Sequence, residues 1–206
     1  MRDLDRALAE IDAIRTQLAR GTQFRGYGPT TFATTGVLAL LAAAGQALWL
    51  KDPAHAIGAY LGLWVSVAVL SIALISFETG IRSRRVHSGL AEEMIHAAIE
   101  QFVPAGLAGA MLTIVLWRFA PESLWMLPGL WQIVFSLGLF ASCRFLPRPM
   151  FAVGLWYLTA GLACLAFANG ERSFSPWAMG LPYGIGQLLV AAVLHHSARG
   201  SDAHAQ

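Results

Sequence analysis

Four residues near the middle of the chain have the types and spacing of a metal site. Glu92, His96 and Glu100 stand four apart, and Glu93 stands three before His96. On a helix, a glutamate and a histidine three apart share a side and can reach one metal ion, as in di-iron bundles. Those bundles need a second such motif and further glutamates, and this sequence has one. Glu78, His195 and His196 are candidates to meet the group at a common rim. A usable site needs three or four converging ligands. The group is therefore read first as a solvated helix face with interfacial histidines, and no metal or cofactor is expected. No Ser-His-Asp order, nucleophile elbow or dinucleotide fingerprint appears. The glycine-rich stretch Thr22 to Pro29 lacks the lysine and following Ser/Thr of a phosphate loop. No basic domain supports nucleic-acid binding.

The elements that carry these residues follow from composition. Hydrophobic residues make up 56% of the 206 and charged residues 13%, against about 25% charged in soluble domains. The missing charge is absent from six blocks: Phe32–Leu50, Ala56–Phe77, Phe102–Ala120, Leu124–Ser142, Met150–Ala168 and Trp177–Leu194. A bilayer core about 30 Å thick needs about 20 apolar residues at 1.5 Å each. Lipid offers no partner for backbone N–H and C=O groups, so these spans must be helices. The expected fold is an all-α membrane protein of six transmembrane helices. It divides into an N-terminal helix and linker (1–28), a six-helix bundle (29–197) and a tail (198–206). Neither Cys143 nor Cys164 has metal-type spacing, and both read as packed thiols.

Arginine sets the expected orientation. Eleven of the fourteen Lys and Arg fall before the first span, in the loops after the second and fourth, or after the sixth. Lys51, Arg118 and Arg172 fall on the other side. The positive-inside rule then puts both termini in the cytoplasm, in a bacterial inner membrane. No cleavable signal peptide is visible before Phe32.

The spans pair as three hairpins, 29–77, 98–142 and 149–196, with the longest cytoplasmic loop at 78–97. The first hairpin reads Leu48-Trp49, Pro53 and Gly62-Leu63-Trp64; the second reads Leu116-Trp117, Pro121 and Gly129-Leu130-Trp131. The third keeps Pro176 and Gly184-Ile185. This predicts a parallel threefold repeat about an axis along the membrane normal. Each proline should open an outward-side helix, and each glycine should permit close helix approach. Gln132 and Gln187 fall three residues after repeat glycines. Amides in lipid usually bond helix to helix. The other reading is a pocket lined by Trp64, Trp131, Gln132 and Gln187.

Residues 3–20 read as a short amphipathic cytoplasmic helix. Leu4, Ala7, Ile11, Ile14 and Leu18 form a seam of about two heptads. With Arg2 its charges sum to zero, whereas lipid-surface helices are rich in Lys and Arg. Leu4, Ile11, Ile14 and Leu18 thus suit a protein partner, a second copy or the bundle itself, with membrane lipid around the spans. From Leu90 a helix should run straight into the third span, bent near Pro104.

The chain resembles a group of bacterial membrane proteins of similar length with no established activity. The resemblance rests on Ile14-Arg15-Thr16-Gln17-Leu18, on Phe24 with Gly26-Tyr27-Gly28, and on Pro128-Gly129-Leu130-Trp131. Some of that group are encoded beside winged-helix regulators, which implies sensing or response, and no residue role carries over. The expected function is a non-enzymatic accessory, scaffold or sensor protein of the membrane. The alternative is a small-molecule transporter or substrate-binding membrane subunit.

Overall fold

A computed structural model describes the backbone of residues 28–85, 89–143, 146–168 and 170–203. It describes their side chains except those of 82–98, 170–171 and 198–203. The expected N-terminal helix, with Leu4, Ile11, Ile14 and Leu18, lies outside the described residues. Among the described residues there are helices and no strands: α1 (Pro29–Trp49), α2 (Ile57–Arg85), α3 (Gly89–Phe119), α4 (Leu127–Ser142), α5 (Met150–Phe167) and α6 (Pro176–Ala203). Two 3₁₀ helices, Pro121–Met126 and Gly170–Phe174, precede α4 and α6. Six stretches of 18 to 25 residues are long and apolar enough to cross a membrane. At 1.5 Å per residue, 21 residues span about 31 Å.

The helices alternate in direction, so the molecule has a hairpin end, with the short turns, and a terminal end. Pro29 starts α1, where its missing N–H is one of the unpaired helix-start groups. Gly28 caps it, and a Cβ there would overlap the Glu78 carboxylate of α2. That carboxylate lies at a helix start, where the dipole favours an anion. At the other end α1 stops at Trp49, and the exposed Asp52 carboxylate then takes the His55 ring at 2.8 Å. The hydrogen bond from His55 is the main reason the Asp52 carboxyl is held below its ordinary range.

Pairing of the helices is uneven. α1 packs most extensively along α6, although they are the first and last spans. α4 packs along α5 and α3 along α4, with α1–α2 and α5–α6 less extensive. Among the described residues α2 and α3 share no substantial packing, apart from an approach of Trp117 to Gly58 at the hairpin end. Their outward faces are apolar, with Val69, Ile72, Phe77, Leu107, Met111 and Ile114 exposed. In lipid, exposed apolar side chains of this kind are the solvent-facing surface.

Two apolar clusters fill the interior. One, at the hairpin end, holds Tyr60, Leu61 and Trp64 of α2, Leu124 and Phe174 of the 3₁₀ helices, and Leu127 and Met179. The other, toward the terminal end, holds Leu139, Met150, Val153, Tyr157, Val190 and Leu194. Tyr183 packs against both.

The proline and glycine expectations hold unequally. Pro176 opens α6, whereas Pro121 opens a 3₁₀ helix and Pro53 lies in a turn before α2. Short connections between helices commonly take 3₁₀ geometry, as Pro121–Met126 does between α3 and α4. The expected start of the fourth α-helix at Leu124 thus moves to Leu127. α3 runs unbroken through Pro104. Gly129 and Gly184 do lie at close contacts, but a Cβ on Gly62 would meet nothing within 4 Å, and neither would one on Gly106. Gly62→Ala and Gly106→Ala are therefore expected to leave stability unchanged or to raise it by up to about 1 kcal/mol, since glycine costs helix stability relative to alanine. A thermal scan of the detergent-purified variants checks this, and a clear loss at either site would reveal a contact on that face.

Candidate functional site

Polar side chains inside a membrane bundle are few, so each one's partner tells what it does. α1 turns one face inward, and Thr35, Ala39, Ala43 and Gln46 on it are buried at helical spacing. Gln46 is 2% exposed. Its Nε2 donates to the Phe174 carbonyl at 2.7 Å, and its Oε1 accepts from Trp64 Nε1 at 2.9 Å. One amide thereby ties α1, α2 and the Gly170–Phe174 turn. The Phe174 ring closes the bundle mouth, 4% exposed and edge-on to Tyr60 at 5.1 Å.

A second amide answers a defect in α6. Pro182 lies inside that helix and has no N–H to give to the carbonyl four residues before it. That carbonyl belongs to Ala178, and Gln132 of α4 donates its Nε2 there at 2.8 Å. A neighbouring helix thus satisfies the backbone group that proline frees. Trp156 of α5 donates to the Pro182 carbonyl at 3.0 Å. Nearer the terminal end, Thr35 Oγ1 of α1 donates to Gln187 Oε1 of α6 at 3.4 Å.

Trp131 repeats the device of Trp64. Its indole N–H donates to Thr113 Oγ1 at 2.9 Å, 18 residues upstream, the separation between Trp64 and Gln46. The pocket expectation for Trp64, Trp131, Gln132 and Gln187 therefore meets four side chains bonded between helices. Trp64, Gln132 and Gln187 are buried. A shallow groove at Thr113, Ile114, Trp117 and Arg118 is lined by α3 alone and includes none of them.

Not every polar atom is matched. Gln132 Oε1 and the Tyr60 hydroxyl are fully buried and have no hydrogen-bond partner. Tyr60, Tyr157, Tyr183 and Thr35 were not singled out by their sequence setting, because a lone tyrosine or threonine in an apolar run looks like any span residue. For Thr35 and Tyr183 the available signal is helical periodicity with Gln46 and Gln187, which share their helices; Tyr60 and Tyr157 have no such neighbour.

The terminal end carries the remaining candidates. His195 and His196 are exposed at the end of α6, with His196 Nδ1 2.9 Å from the Ala192 carbonyl. Glu100 is exposed on α3. The backbone of Glu92, Glu93 and His96 belongs to α3, and their side chains are outside the description. Among the described residues no three His, Cys, Asp or Glu are grouped so that they could hold a metal ion. Cys143 and Cys164 are free, half-buried thiols, neither paired with the other. Compared with known family models, curated proteins and solved structures, the chain matches none.

Proposed function

We propose that this chain is a non-enzymatic membrane protein of accessory, scaffold or sensor type, whose bundle holds cytoplasmic segments for a partner. The observation that carries this reading is the use of the intramembrane amides. Gln46, Gln132 and Gln187 all bond between helices or to a helix connection. Such bonds contribute about 0.6–2 kcal/mol each and favour one fixed packing. No charged side chain is buried among the described residues, so nothing there supports a relay of protons or ions through the spans.

Three related hairpins and two cytoplasmic termini belong to the same proposal. The equal 18-residue spacing of Trp64–Gln46 and Trp131–Thr113 supports kinship of the first two hairpins. The third departs from it, because Gly186 stands where a tryptophan would follow and receives the Tyr157 ring. Arginine distribution supports the orientation in a bacterial inner membrane. A tag fused after Gln206 should be protected from reagents outside intact cells.

The partner surface is assigned to Leu4, Ile11, Ile14 and Leu18. Purification of the full chain in mild detergent should recover a stoichiometric partner or a self-associated form. Ile11→Glu with Ile14→Glu should lose it while leaving the thermal transition of the bundle in place. Recovery of the same monomer from both would overturn the reading.

A further inference from the structure

The last two turns of α3 carry a groove whose two ends differ in chemistry. Thr113, Ile114, Trp117 and Arg118 line it, and its volume is about 320 Å³. The span ends at Phe119, so the groove reaches about 9 Å down the helix axis from that end, at 1.5 Å per residue. Its deep end offers no free donor. Ile114 is exposed there, and the Thr113 hydroxyl donates to the Gly109 carbonyl at 2.8 Å while accepting from Trp131 at 2.9 Å. Its shallow end is cationic. The Arg118 guanidinium lies 5.8 Å from the centre of the Phe119 ring, and among the described residues it has no carboxylate partner. Trp117 is exposed, and its ring tip would stand 3.6 Å from a Cβ on Gly58 of α2. Its indole N–H has no acceptor among the described residues, whereas those of Trp64, Trp131 and Trp156 all donate to protein atoms.

We propose that this groove seats one glycerophospholipid, with an acyl chain against Ile114 and the Trp117 ring and the phosphodiester on Arg118. The lining sets that chemistry. A guanidinium without a protein partner at the end of a span matches a phosphodiester, which it holds through two parallel N–H bonds. Trp117 adds a donor at the headgroup level, where tryptophan is favoured. The apolar deep end gives a free phosphate nothing to bind and suits a hydrocarbon chain. α3 is the least buried of the six spans, so the groove opens on the surface that lipid covers. The site goes beyond the partner-docking reading and does not depend on it.

Three probes separate the two ends. They are dioleoyl phosphatidylglycerol, dioleoylglycerol with the same chains and no phosphate, and glycerophosphoglycerol with the headgroup and no chains. Each is titrated into the full-length protein in mild detergent and read by native mass spectrometry. The expected result is one saturable phosphatidylglycerol per chain, bound about tenfold more weakly by Arg118→Gln, the equivalent of one lost charged contact. Arg118→Lys should recover part of the loss, since it keeps the charge and not the fork. Ile114→Trp fills the groove, leaves the cation in place and should also weaken binding. All three variants replace exposed side chains, so their lipid-free thermal transitions should match the wild type. No saturable phosphatidylglycerol, equal affinity for dioleoylglycerol, or equal affinity in Arg118→Gln would overturn the proposal. So would binding untouched by Ile114→Trp, displacement by equimolar glycerophosphoglycerol, or a dimer in place of the lipid adduct.

Discussion

Gly161→Val is expected to cost more stability than any other single change in the bundle. A Cβ at Gly161 would stand 2.7 Å from the Gly129 carbonyl oxygen and 2.8 Å from Ile133 Cγ1. The reverse contact is as close, since a Cβ at Gly129 would meet the Gly161 carbonyl at 2.9 Å. The obstacle on both sides is backbone, which cannot rotate away. α4 and α5 would have to separate along one of the most extensive interfaces in the molecule. Overpacking of this kind costs about 1–3 kcal/mol or more, which for a chain of this size is roughly 6–12 °C of transition temperature at the upper figure. Fluorescence-detected size exclusion after heating reads it directly. Gly106→Val, on a helix face that meets nothing, is the control, and equal losses from both would mean that close approach is not the cause.

Gln46→Leu should have the next largest effect. It removes both partners of a shared amide, leaving the Trp64 indole N–H and the Phe174 carbonyl buried and unpaired. Each such group costs about 1–3 kcal/mol. Measured side-chain bonds in membranes average about 0.6 kcal/mol, because the separated helices also find partners. Two bonds lost at that average remove about 1 kcal/mol, and two unpaired groups at the lower bound remove about 2, so a combined loss of about 1–2 kcal/mol is expected. Trp64→Phe alone removes one donor and orphans the amide oxygen. Combining it with Gln46→Leu should therefore cost clearly less than the two losses added. Unfolding in graded mixtures of sodium dodecyl sulfate and mild detergent measures the coupling. Strict additivity would show that the bond is not the linkage.

The six spans were legible in the residues because lipid forbids both charge and unpaired backbone, so absence of charge over about 20 residues has one structural meaning. What those spans do to one another was not. A soluble helix shows its inward face by contrast between apolar and polar positions. Here α2 exposes Val69 and Ile72 and buries Trp64 and Leu61, all of one hydropathic kind. The pairing of α1 with α6 therefore had no visible trace in hydropathy. Gln46, Gln132 and Gln187 were legible as amides in lipid, and the reading of them as bonds between helices agrees with their observed partners. Their particular partners were not legible, because two are backbone carbonyls, and any residue has one. The Ala178 carbonyl is the exception in principle: Pro182 announces it four residues ahead. The expected start of a helix at Pro53 failed for a local reason, since Asp52 and His55 bond each other and close a turn instead.

The union of the first and last spans also has a consequence for how the chain is made. Thr35 and Gln187 are 152 residues apart, and at ribosomal speeds of 5–20 residues per second α1 waits roughly 8–30 s for its mate. During that interval its polar groups have neither α6 nor the Phe174 carbonyl to engage. A nascent chain arrested before Gly170 would present those groups to lipid or to an insertase, which makes the arrival of the last span something that membrane proteolysis could read.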